Sequence, residues 1–447
     1  MRVPPLRPPV YITGQIPSSA TALLQPEAAM EDGEQPPPAS DDWARLPADI
    51  LTSVLCSLEF PDLFSAAAAC ASWRAAARAL RRLGWYSRPQ TPCLFYAASA
   101  AAGEAELYSL AAGKPYRLPA PPGPPLAGRY IFGSSHGWLA TADARSELLL
   151  LNPATGEQLA LPPVATVEHV TPVLDAGGGL QRYDLAVYRA GLPRREHQPP
   201  MACPVGELRE YLYLKVVLSC DPSRGGGDCT AMMIHVPYRQ LSFATVGGER
   251  WHWVTTSPTP EYTEYSDCIY HDGAFYAMNL QGGVHRYTIT GSCASCEVVF
   301  RDTVHYMARK VYIARASSGD LLQIWRFTDV PEAEEEEEMH TEGFGIYRLD
   351  LDEQRIISID TLGDDALLLG HGDTCCLSTK EYPNLLPGRV YFTDDSEYFL
   401  MNNKNSRRDV GIFNLVNESS HELVSPQPWM NWPNPIWITP SFTKINP

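Results

Sequence analysis

The sequence predicts an α+β, multidomain chain: a small three-helix module over residues 41–84, then an all-β, propeller-like domain of six or seven blades over residues 101–447. Three observations carry this. Apolar residues between Ile50 and Leu58 follow a helical spacing. From about residue 104 the apolar runs shorten to strand length, each bounded by Gly, Asn, Asp or Pro. A strand, a tight polar turn and a return strand then recur through the rest of the chain.

Composition narrows the function classes. Of 447 residues, 45% are hydrophobic, enough for a sizeable core and more than one domain. A formal net charge of -17 repels phosphate backbones, so nucleic acid is not an expected partner. No run approaches the roughly 18 apolar residues of a membrane helix, so no membrane partner is expected. The 11 cysteines are odd in number and scattered, unlike the dense frameworks of small secreted domains. They read as reduced thiols of the cytoplasm or nucleus. Residues 1–30 hold no compact apolar core of secretory-signal length. Residues 1–40, rich in Pro, Ala, Ser and Gln, cannot bury a core and are expected to be disordered.

The helical module follows. Ile50, Leu51, Val54, Leu55 and Leu58 form one stripe on a helix, with Leu46-Pro47 at its start, where the missing proline N–H costs nothing. Asp62 is expected to cap a second helix, with Leu63, Ala66, Ala67 and Cys70 along one side. Ser72 is expected to cap a third, Trp73 to Leu83, with Gly84 as its stop. Three short helices bury little apolar area alone and gain from a partner surface. Residues 85–100 read as a linker.

The run Trp43…Leu46-Pro47…Ile50-Leu51…Leu55…Leu58…Pro61-Asp62-Leu63…Cys70…Ser72-Trp73-Arg74 resembles an F-box. The departure is Ala66–Ala69, where the family often carries bulkier residues. The resemblance implies a module that docks a Skp-type adaptor, which joins a cullin. It implies that Leu46 and Pro47 insert at the adaptor surface and that Trp73 anchors the third helix. Ile50, Leu51, Val54, Leu55, Leu58 and Leu63 divide between internal packing and adaptor contact, with Asp62, Cys70 and Arg74 completing the adaptor-binding set. Arg74, Arg78, Arg81 and Arg82 make a basic face that an acidic adaptor would attract.

In the β region, five strand–turn–strand units stand out: Leu107–Leu110 with Tyr116–Leu118, Leu149–Leu151 with Leu159–Leu161, Tyr276–Leu280 with Val284–Tyr287, Ile346–Leu349 with Ile356–Ile359, and Val410–Leu415 with Leu423-Val424. Their spacing of roughly 40 to 70 residues is near the blade length of kelch-like propellers. Each hairpin alone leaves an apolar face wet, and stacking around a ring removes that face from water. The alternative is a pair of β-sandwiches.

Ser134-Ser135-His136-Gly137-Trp138-Leu139, then Leu151-Asn152-Pro153-Ala154-Thr155-Gly156, resemble the start of the plant C-terminal domain of unknown function that follows F-boxes. Gly388–Asp395 and Pro435–Pro440 resemble its end. Together the two resemblances imply a plant F-box protein: the substrate receptor of a Skp–cullin–F-box ubiquitin ligase, with an unidentified protein as its target. The alternatives are a non-ligase F-box scaffold, or a propeller-type enzyme or carbohydrate-binding module.

No catalytic, cofactor or metal site is expected. Gly133-Ser134-Ser135-His136-Gly137 fits the G-x-S-x-G nucleophile elbow, but that elbow needs a helix after the serine, and Trp138–Thr141 reads as a strand. Cys293-Ala294-Ser295-Cys296 lacks a second pair at zinc spacing. The glutamate-rich run Glu332–Glu338 reads as a solvated loop. Trp251, His252, Trp253 and Trp429-Met430-Asn431-Trp432 are candidate exposed loop elements, though no substrate-binding residue is assigned.

Overall fold

A computed structural model describes residues 42–83, 89–98, 105–118, 128–191, 199–224, 229–258, 263–303, 310–329 and 338–443. The disordered segment expected at 1–40, the Gly84 stop and most of the glutamate run lie outside these residues. Leu46–Pro447 form one compact unit. The other, Met1–Arg45, is described only by a 3-10 turn at Asp42–Arg45.

Three helices open the larger unit: α1 Ala48–Ser57, α2 Asp62–Ala69 and α3 Ala71–Arg82. Pro47 occupies the cap position of α1, as its fixed backbone angle favours. Two capping expectations are corrected. Asp62 lies in the first turn of α2 rather than before it; Pro61 holds the cap position, and the carboxylate there meets the positive end of the helix. Cys70, not Ser72, starts α3, since its carbonyl accepts from the Arg74 N–H at 3.0 Å.

Seven sheets follow among the described residues. Six stand side by side around an axis. Blade 1 combines Cys93–Ala97, Ala105–Ser109 and Lys114–Arg117 with Ile436–Ile438. Blade 2 spans Tyr130–Ala160, blade 3 Tyr213–Trp253, blade 4 Tyr265–Phe300 and blade 5 Lys310–Ser358, each an up-and-down sheet of four strands. Blade 6 has five strands between Asp365 and Glu422, with Asp365–Leu369 parallel to Arg389–Phe392. All five expected hairpins occur within these blades, the last with its return strand at Ser419–Glu422 rather than at Leu423-Val424. The seventh sheet, Val170–Leu174, Leu180–Leu185 and Met201–Pro204, packs its Val170, Tyr183, Leu185 and Cys203 into the core shared by blades 2 and 3.

Ring closure explains both ends of the domain. The Ile436–Ile438 strand pairs with Cys93–Ala97, setting Cys93 opposite Ile438 and Phe95 opposite Ile436. The stretch read as a linker, 85–100, therefore contains the strand to which the end of the chain is stitched. Leu94, Tyr96 and Trp437 then share one core with Ala366, Leu368 and Tyr391 of blade 6. The two motif regions also meet: Ser134 Oγ donates to the Trp437 carbonyl, and Asn152 Nδ2 donates to the Ser441 carbonyl at 3.1 Å.

The Gly-x-Ser-x-Gly stretch is a hairpin turn. His136 and Gly137 take φ of 51° and 83°, the left-handed pair that a two-residue turn requires, and Trp138 starts the return strand. A side chain at 137 would collide with Ser441.

Candidate functional site

The helical module divides its apolar residues by face. Leu51, Leu55 and Leu63 are buried together with Phe60, Ala76, Ala77 and Leu80. That cluster is continuous with Cys93, Phe95 and Leu107 of blade 1, Ile131 and Leu139 of blade 2, and Phe442. Leu46, Leu58 and Trp73 are partly buried and pack against it. The core of the module is thus continuous with that of the propeller, and Leu51, Leu55 and Leu63 lie inside it rather than at an open edge. Pro47 and Ile50 point outward, with Ile50 46% exposed and Val54 half-buried outside the cluster. Spaced three and four apart, they share one face of α1. Asp62 and Arg74 are exposed, and Cys70 is half-buried.

The Cys-x-x-Trp-Arg element has a local role. The Cys70 thiol lies 3.0 Å from Ser72 Oγ. Its hydrogen bonds from Ser72 and the Trp73 N–H hold its pKa below the ordinary thiol range. Arg78 and Arg82 are exposed beside Arg74 on α3; the Arg81 side chain lies outside the described residues.

Polar contacts reinforce the joint. Between α1 and α2, Glu59 Oε2 accepts from the Thr91 N–H at 2.9 Å and Thr91 Oγ1 at 2.8 Å. Glu59 Oε1 accepts from Asn384 Nδ2 of blade 6 at 2.9 Å. The Phe60 N–H donates to Gln90 Oε1 at 2.7 Å. The module is thus seated on blades 1, 2 and 6.

At the propeller axis, a buried ion pair and its hydrogen-bond donors bring four blades together. Lys215 of blade 3 pairs with Asp267 of blade 4, both buried. Asp267 Oδ2 also accepts from Thr374 Oγ1 of blade 6 at 2.7 Å and from the Ile313 N–H of blade 5 at 3.0 Å. Burial disfavours the Lys215 charge, but the Asp267 carboxylate outweighs it and the pKa moves up. Every oxygen of Asp267 is engaged, so the pair ties four blades together. Outside the axis, Arg326, 1% exposed, joins blades 5 and 6 through Asp395 at 3.1 Å and Asp409 at 3.2 Å. Glu397 sits between Lys310 at 2.6 Å and Arg239 at 3.3 Å. Burial would raise its pKa, yet the two cations hold it down to about 2.

Two expected exposed tryptophans are corrected. Trp251 and Trp429 are buried, at 2% and 5%. Trp251 Nε1 donates to the Pro162 carbonyl at 3.1 Å, and Trp429 packs edge-on to Tyr96. Tryptophan's large apolar area makes core its usual place. His252, Trp253, Met430, Asn431 and Trp432 are half-buried; Trp432 stacks on Tyr130 and lies under Lys404. A cleft of about 220 Å³ between blades 5 and 6, missed by the sequence reading, is lined by Met339, Thr341, Phe392, Arg408, Asp409 and His421 among others. Its lining residues run from Glu338 to Gln427, and only the ring brings them together. No group of three or more His, Cys, Asp or Glu among the described residues is placed to hold a metal. Cys293 is exposed and Cys296 half-buried on the last strand of blade 4.

A profile of the KIB1-4 beta-propeller family matches residues 107–414. The chain belongs to that family. The KIB1-4 propeller here follows an F-box-like segment matched at residues 43–83. Two Arabidopsis thaliana proteins are similar to it. The probable F-box protein At1g65740 is 26% identical over 170 residues, 36% of this chain and 45% of that protein. The F-box protein At4g35733 is 24% identical over 174 residues, 38% and 46% respectively. The chain thus spans less than half the length of these curated relatives. Among solved structures, TolB from Acinetobacter baumannii aligns with the KIB1-4 chain at a TM-score of 0.32 and 10% identity, covering 83% of this chain and 73% of that one.

Proposed function

We propose that this protein is the substrate-recognition subunit of a Skp–cullin–F-box ubiquitin ligase, working in the cytoplasm or nucleus. The helical module docks a Skp-type adaptor, the adaptor brings a cullin, and the propeller holds a target protein. The chain itself does no chemistry; ubiquitin transfer belongs to other subunits. One observation carries this reading: Pro47 and Ile50 stay open at the start of α1, with half-buried Val54 beside them, while Leu51 and Leu55 on the adjoining face of the same helix belong to the core shared with the propeller. An apolar row left in water on a module already anchored suits a second protein. The eleven free thiols fit a reducing compartment.

The test is co-purification from plant cells. The wild-type protein is expected to retain a Skp-type adaptor and a cullin. Pro47→Ala with Ile50→Glu is expected to lose both while its melting temperature stays unchanged. Undiminished adaptor recovery by that double variant would refute the docking assignment. Adaptor without cullin would favour the non-ligase scaffold.

A further inference from the structure

We propose that Cys220 and Cys229 form a thiol–disulfide modification site that takes a small disulfide such as oxidised glutathione. The two cysteines follow the first strand of blade 3 and precede the second. The register there sets Leu218 opposite Ala231, hence Ser219 opposite Thr230 and Cys220 opposite Cys229. The Ser219 N–H donates to the Thr230 carbonyl at 2.8 Å, which makes that the hydrogen-bonded position of the ladder. The two cysteines come next, just past the ends of the two strands, where the chain bends at Cys220. Opposed residues of antiparallel strands keep their Cα atoms about 4.5–5.5 Å apart, inside the roughly 4.4–6.8 Å that a disulfide spans. The two thiols lie together: Cys229 Sγ donates to the Cys220 carbonyl at 3.2 Å, with the Cys220 sulfur beside it.

The other close cysteines cannot do this. Cys293 and Cys296 are three apart on one strand, and Cys375 and Cys376 are adjacent on another. Both separations are odd, so each pair points to opposite faces of its sheet.

The environment orders the steps. Cys220 is exposed and Cys229 is 2% exposed. Burial, with the Cys220 sulfur beside it, pushes the Cys229 thiol up to about 12. The Cys220 thiolate therefore attacks one sulfur of oxidised glutathione, making a mixed disulfide and releasing one glutathione thiolate. The Cys229 sulfur then attacks Cys220 Sγ, forming the protein disulfide and breaking the mixed one. The second glutathione leaves as a thiolate, and the two cysteine protons end on the two glutathiones. The protein loses two electrons and the glutathione disulfide gains them. Neighbouring Asp221 already holds this strand end: its carboxylate accepts from Trp138 Nε1 at 3.0 Å and from Ser441 Oγ at 3.2 Å. A cross-strand disulfide with its Cys220 sulfur at the surface is open to reduction again, which suits a reversible mark.

The full-length protein, reduced and then exposed to oxidised glutathione, is alkylated, digested with trypsin and weighed. Arg224 separates the two cysteines, so the bridge would join peptides 216–224 and 225–239, lighter than their sum by two hydrogens. That linked pair is expected as the first disulfide to form, and dithiothreitol should release it. In Cys229→Ser, Cys220 should instead carry one glutathione, while Cys220→Ser should leave Cys229 a free thiol. Wild-type protein that stops at the Cys220 mixed disulfide, or links another pair first, would overturn the proposal.

Discussion

The helical module and the propeller bury their apolar residues by different means. The propeller completes its own core, because each blade's faces are covered by the next and the last strand is stitched to the first. The helices do not. Leu51, Leu55 and Leu63 share one buried cluster with Phe95 and Ile131 of the propeller and with Phe442. Pro47 and Ile50, at the start of α1, stay exposed. A module too small for a core of its own therefore completes its core with the domain it rides on.

The strongest way to break this contrast is to cut between the regions. The sequence reading makes residues 101–447 an independent domain. The structure predicts the opposite, because that fragment lacks Cys93–Ala97 and with it the partner of the closing strand. Residues 46–447 should resist limited proteolysis and melt cooperatively, and residues 101–447 should do neither. A stable, protected 101–447 fragment would mean that the ring closes without that strand.

A milder test is Leu55→Ala, at a fully buried side chain in the shared core. It should cost about 2–5 kcal/mol, read by urea denaturation. Helical and sheet signals should fall in one transition. Two separate transitions would show that the regions do not share a core.

The propeller should also carry a pH dependence that the helices lack. His235 of blade 3 is buried; its Nδ1 donates to the Val236 carbonyl at 3.0 Å, which leaves Nε2 to accept from Ser242 Oγ at 2.9 Å. Burial lowers its pKa from 6.5 to about 4. The unfolded chain therefore takes up this proton first, and stability falls as pH drops through that window. By pH 5 the loss is on the order of 2 kcal/mol. His235→Gln should remove that share of the difference in unfolding free energy between pH 7 and pH 5; an unchanged slope would remove His235 from the account. The smallest effect is expected at Ile50→Glu, an exposed site that should shift stability within about 0.5 kcal/mol.

Much of this was legible beforehand. The helical spacing from Ile50 to Leu58 and the five hairpins depend on periods of 3.6 and 2, which are local properties of a chain. Asn152 shows how far local reading reaches: its side chain accepts from the Ala154 and Thr155 N–H groups, the turn chemistry of Asn-Pro-Ala-Thr-Gly. Capping was less legible. Asp62 and Ser72 are good caps by residue type, yet the helices start elsewhere, because packing sets where each helix meets its neighbours.

By itself the sequence determined the order of the regions, the approximate places of five hairpins and the family. Tertiary structure decided which apolar residues are core and which are edge, that Trp251 and Trp429 are buried, and that residues 93–97 close the ring. It also placed Lys215 against Asp267 and Thr374, and the Ile313 N–H on Asp267. The physical reason is that periodicity gives a residue's direction relative to its own helix or strand. What lies in that direction depends on which distant segment arrives there, and only the closed ring supplies it.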